Sequence, residues 1–145
     1  MNERRQTLLA SIGLLVLRVG IGGYLAAHGY GKLKMLLGGQ ASQFADPIGL
    51  GPAFTLFFAA FAEFLCSLLV VVGLATRIAA IPPVVVMATA AFVVHGGDPW
   101  VMTGQGGAKE PALLFLTGFL AIALLGPGDF SLDRQVLPRL RRSKP

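Results

Sequence analysis

The sequence predicts an all-α integral membrane protein, a four-helix bundle, on three observations. Hydrophobic residues make up 54% of the 145-residue chain and charged residues only 13%, where a soluble domain carries about 25% charged residues. Mean hydropathy is +0.72. The charges that do occur are separated by long uncharged stretches, of which 78–97 and 111–128 are the clearest. A soluble globular domain is excluded, because a small domain has proportionally more surface to cover with polar groups. Disorder is excluded by the opposite property, too much apolar surface. The lone cysteine, Cys66, excludes a disulfide scaffold. The net charge of +5 belongs to the aqueous ends, so the expected partner is the lipid bilayer and not nucleic acid.

A helix needs about 20 residues to cross the hydrocarbon, and four spans satisfy that: 8–28, 52–74, 78–95 and 108–125. The first two each tolerate one interior charge, Arg18 and Glu63. Span one is not read as a cleavable signal peptide, because it carries Arg18 and no small-residue cleavage site follows it. The connection from Gly29 to Gly51 contains Asp46-Pro47 and several glycines. It reads as a loop, with a short interfacial helix around Leu33–Leu37 whose Lys32 and Lys34 snorkel to the surface. Gly73 to Arg77 is so short that spans two and three form an antiparallel hairpin. Pro82-Pro83 sits in the first turns of span three, where a missing N–H costs least, and the second proline is positioned to kink the helix. Trp100, between spans three and four, fits an interfacial aromatic. Pro111 opens span four and Gly126-Pro127-Gly128 ends it.

Lysine and arginine placement sets the orientation. Arg4, Arg5, Arg77 and five cations of the basic tail 134–145 fall on one side, eight in all, against Lys32, Lys34 and Lys109 on the other. The positive-inside rule then puts both termini in the cytoplasm. Two sets of polar residues remain to be explained. Arg18 and Glu63 each cost about 2.5–3.5 kcal/mol or more within a membrane. Counted along the helices they share one depth, which predicts a bidentate contact between spans one and two. That pair reads either as a register-fixing buried ion pair or as a proton- or ligand-binding site. His28, His95 and Glu110 end or open spans on the outer side. The expectation is an outward-facing polar pocket lined by these three, with Arg18 and Glu63 at its floor. Solvated interfacial residues are the plainer reading. A metal site is not assigned, because no two of the three share a ligand motif. Cys66 is expected to be wall, and Gly22-x-x-x-Ala26 and Gly23-x-x-x-Ala27 permit close helix contact.

The segments in order resemble the DoxX family of small bacterial and archaeal membrane proteins. They run Leu17-Arg18-Val19-Gly20, His28-Gly29-Tyr30-Gly31-Lys32-Leu33, Ala60-Phe61-Ala62-Glu63-Phe64, Val72-Gly73-Leu74-Ala75-Thr76-Arg77, Lys109-Glu110-Pro111-Ala112 and Gly126-Pro127-Gly128-Asp129-Phe130-Ser131-Leu132-Asp133. The resemblance covers residues 10–133 and implies a single domain, 1–145, forming a four-helix bundle in a bacterial or archaeal plasma membrane. It also implies that Arg18, His28, Lys32, Glu63, Arg77, His95 and Glu110 are the family's characteristic polar positions. It implies an accessory protein or membrane subunit linked to redox or quinone chemistry, an enzyme at most as part of an oxidoreductase complex. Quinone is then the cofactor to consider, and redox proteins or a second copy of the chain the partners. Two alternatives stand beside it: a proton-coupled or small-solute transporter, and a scaffold without chemistry.

Overall fold

A computed structural model describes residues 2–104 and 106–135. Among these the secondary structure is helical throughout, with no strand. Three helices are long and apolar enough to cross a membrane: α1 (Glu3–Leu37), α2 (Pro52–Val72) and α3 (Thr76–Val94). A shorter apolar helix, α4 (Glu110–Leu125), follows. Helix α1 packs along α2, and α3 packs against α4, which also touches α1. The tail that carries most of the expected basic cluster, 136–145, lies outside the described residues.

Helices α2, α3 and α4 begin and end within about two residues of the bounds expected for spans two to four. Span one does not: α1 continues past His28 to Leu37, so the expected interfacial segment is its last turns. Nothing between residues 29 and 37 breaks a helix outright, and two contacts support it there. Lys34 lies over the Tyr30 ring one turn earlier, and Lys32 reaches sideways to α2. At 35 residues the helix is about 52 Å long, well beyond the hydrocarbon thickness. It ends at Gly38 and Gly39, the latter at φ +69°.

Each remaining boundary has a local cause. Asp46 accepts hydrogen bonds from the backbone N–H of Leu50 and Gly51 and from the Thr55 hydroxyl, which folds the 38–51 loop onto the start of α2. Helix α2 stops at Gly73, which takes φ +76° while its N–H returns to Leu69 and Val70 carbonyls. The hairpin turn is closed by Ala75 at φ +48°. In α3 the regular helix is interrupted at Ala80, just before Pro82-Pro83, which have no N–H to donate. Two segments are wound as π-helix: Phe61–Cys66 in α2 and Ala90–Val94 in α3.

Small and aliphatic residues fill the centre: Leu25, Val70, Ala80, Ala91, Phe119 and Ile122 are buried. Most large apolar side chains instead face outward, among them Val16, Tyr24, Ile78, Leu114 and Leu124. Arg18, Glu63, Ser67 and Thr76 lie buried within. Outward apolar surface around an interior that keeps the polar groups is what a lipid solvent selects. The molecule has two distinct ends. A turn end gathers the start of α1, the 73–75 turn and residues 126–133. A loop end carries the 38–51 and 95–109 connections.

Candidate functional site

Glu63 is the most isolated ionisable group of the loop half. It is 1% exposed and sits in the π-helical turn of α2. A π-turn widens the helix locally and pushes its backbone outward. Gly29 of α1 receives that bulge: a Cβ there would lie 2.5 Å from the Glu63 carbonyl carbon and the Phe64 nitrogen. Glycine at this point lets the two backbones meet. From the residue before Gly29 and from one turn after it, α1 directs His28 and Lys32 toward the same carboxylate. Lys32 Nζ donates to Glu63 Oε1. His28 Nδ1 lies 3.9 Å from Oε2, beyond hydrogen-bond reach, and Oε2 is left buried without a partner. His28 itself is largely exposed, 68%, so the site runs from solvent at the loop end to a desolvated carboxylate.

Two cavities meet at this ion pair. The first, of about 360 Å³, is walled by Phe44, Phe54, Phe58 and Val85, with Lys32 and Glu63 its only charged lining. The second, of about 330 Å³, adds His28 and His95, with Met87 and Phe115 as apolar wall. Lys32, Phe44, Pro47, Glu63, Ala90 and Val94 border both. Volumes of this size suit a small amphipathic ligand. His95 follows directly on the π-turn of α3, and its Nδ1 is 2.7 Å from Asp98 Oδ2. That contact orients the ring from the loop side.

The pocket is thus part of what the sequence predicts, with three corrections. His28, His95 and Glu63 do border one cavity. Glu110 does not: its Oε2 accepts from the Met102 N–H, tying down the 95–109 loop beside Lys109, whose Nζ donates to the Gly96 and Asp98 carbonyls. Arg18 does not either, and it makes no contact with Glu63. Its guanidinium, fully buried, donates to Val70 O at 3.4 Å and to Phe130 O. The depth count fails because α1 extends so far beyond α2. Gly29, not Arg18, lies level with Glu63, and eleven residues of helix separate the two positions by about 16 Å. The third correction concerns Lys32, which is the carboxylate's partner and not only a snorkelling cation. Its spacing of four from His28 was the available signal, because i and i+4 share a helix face.

The Arg18 end is a separate network. Helix termini leave carbonyls without intrahelical partners, and Arg18 supplies donors to the last turn of α2 and to the incoming strand of residues after α4. Asp133 completes the closure by accepting from Ala75 N–H, Thr76 N–H and the Thr76 hydroxyl, at 2.7–2.9 Å, which caps α3. Burial alone would push the Asp133 carboxyl up. The hydrogen bonds from Thr76 and Ala75, with the Arg18 charge nearby, outweigh it and hold the carboxyl below its usual range. Ser11 bonds Asp129 in the same segment. The side chains of 126–133 thus serve closure of the turn end, a role their spacing alone did not disclose.

Fold and site together define an integral membrane protein of the helical type, with a part-buried ion pair and two histidines bordering apolar cavities at one end. The chain matches the DoxX family over residues 13–96, more than half of its length, and belongs to that family. No curated protein and no solved structure matches it.

Proposed function

We propose that this chain is a membrane subunit or accessory protein that binds a quinone head group in the cavities beside Glu63. The observation that supports this reading is the Lys32–Glu63 ion pair set into walls that are otherwise almost wholly apolar and aromatic. A quinone combines an apolar tail, which needs such walls, with a polar ring, which needs donors and acceptors at one point. When bound, it supplies two-electron, two-proton redox chemistry. Lys32 offers the ammonium donor and Glu63 the acceptor. His28 places an exposed imidazole between the site and the loop-end water. Cys66 stands alone in the chain, so dithiol chemistry within one copy is excluded, and the proposal includes a redox partner protein.

The reading places α4 across the membrane as a fourth span, its 16 residues accommodated by local thinning of the bilayer. It also places the turn end in the cytoplasm of a bacterial or archaeal cell. The described cations support this, with Arg4, Arg5, Arg77 and Arg134 at the turn end and Lys32, Lys34 and Lys109 at the loop end. A cysteine introduced at Gly39 should then label from outside intact cells, and one at Asn2 only after permeabilisation.

Mass spectrometry of lipids co-purified with the full-length chain tests the function. The expected result is quinone enriched over bulk membrane lipid, with the enrichment lost in a Lys32→Leu, Glu63→Leu double variant that remains folded. Equal quinone content in both proteins overturns the reading. Solute uptake into proteoliposomes that depends on Glu63 would favour a transporter instead, and neither result would leave a scaffold.

A further inference from the structure

We infer that the site selects a neutral ligand bearing a ring hydroxyl, and so favours the reduced, hydroquinone form of a quinone over the oxidised form. This rests on the quinone reading above and adds to it a preference between redox states. The argument starts from what the Glu63 carboxylate lacks. Its charge already has a counter-charge, because Lys32 Nζ is on Oε1. Its second oxygen, Oε2, is shut off from water and accepts no hydrogen bond. His28 Nδ1 stays 3.9 Å away. A buried acceptor without a partner costs free energy comparable to a lost hydrogen bond. The deficit at Oε2 is therefore a missing donor, not a missing cation.

Three features decide which donor fits. A second cation would leave the ion pair with net positive charge between apolar walls, where an uncompensated charge is costly. Phe44 and Val94 border both cavities, with Phe54 and Phe58 in the first and Phe115 in the second, walls that suit a flat apolar ring. An oxidised quinone carries only carbonyl acceptors; it can take a remaining N–H of the Lys32 ammonium but has nothing to donate to Oε2, which it leaves as it is. A hydroquinone brings an O–H donor, and O–H to carboxylate is among the stronger hydrogen bonds available. The shared border of the two cavities at Lys32 and Glu63 puts the ring and its tail on adjoining sides of that one contact.

The test is a calorimetric titration of the purified full-length chain in lipid nanodiscs, under anaerobic conditions, with three probes. These are a decyl-substituted benzoquinone, its hydroquinone, and the dimethyl ether of that hydroquinone. A charge-assisted hydrogen bond corresponds to about tenfold or more in affinity. The hydroquinone should therefore bind at least tenfold more tightly than either other probe, and Glu63→Gln should remove most of that margin. Equal binding of all three, or tighter binding of the oxidised form, overturns the hydroxyl preference while leaving a quinone site in place. No binding of any probe overturns both readings. The comparison among probes is made on the unaltered protein, so it decides the matter even where Glu63→Gln does not fold.

Discussion

Asp133 shows how much closure one side chain provides. Its three hydrogen bonds hold the 73–76 turn, while its own N–H returns to Gly73 O. Gly73 is required there twice over, by its left-handed backbone and by the Arg18 guanidinium that occupies the place of a Cβ. Asp133→Ala should cost about 1–3 kcal/mol, the range for unmet buried polar groups. A pH dependence follows from the same contacts. The folded-state pKa of Asp133 lies below the ordinary value, near 4 in the unfolded chain. Its stabilisation is then present in full above about pH 4 and is lost as pH falls through the folded value. Thermal unfolding of the wild type should weaken more steeply than that of Asp133→Asn as pH drops from 6 to 3. Parallel curves would show that the carboxylate does not hold the turn.

At the scale of helices, α1 and α2 are matched through glycine on one side and a π-turn on the other. The extra backbone of Phe61–Cys66 fits only because Gly29 has no side chain. Gly29→Ala should therefore separate the helices or shift the bulge, at a cost of about 2 kcal/mol or more, and it should displace Glu63 from Lys32. Gly23, six residues earlier on α1, has nothing within 4 Å of the position of a Cβ. Gly23→Ala should be neutral or stabilising by at most about 1 kcal/mol through helix propensity. Chemical or thermal unfolding of the two variants in one detergent makes the comparison; equal losses would mean that the close approach at Gly29 is not what joins these helices.

Across the whole molecule Arg18 and Glu63, the two most deeply buried ionic groups of the described residues, belong to different ends. Arg18 works with Val70, Phe130 and Asp133 at the turn end, and Glu63 with Lys32 and His28 at the loop end. No shared partner links them, so their contributions should add. The stability losses of Arg18→Leu and Glu63→Leu should sum in the double variant to within about 0.5 kcal/mol. A double variant markedly more stable than that sum would restore the direct pairing that depth counting suggests. The two ends also differ in what surrounds their unmet polar atoms: Arg18 Nε lies within the hydrogen-bonded closure of the turn end, whereas Glu63 Oε2 lies beside two apolar cavities at the loop end.

Composition and charge spacing alone determined the helical membrane class, the bounds of three helices to within about two residues, and the glycine stops. Each depends on neighbours in the chain and on the length a bilayer demands. His28, His95 and Glu63 were legible as candidates for the same reason, because an ionisable group in an apolar run is conspicuous without any fold. Which of them meet was a matter of register between helices, and register is set by contacts far apart in sequence. Gly29 against the Phe61–Cys66 bulge fixes that register, and no local pattern announces a π-turn. Only the packed structure therefore moved Arg18 to the turn end, brought Lys32 to Glu63, and left Oε2 as the acceptor still to be filled.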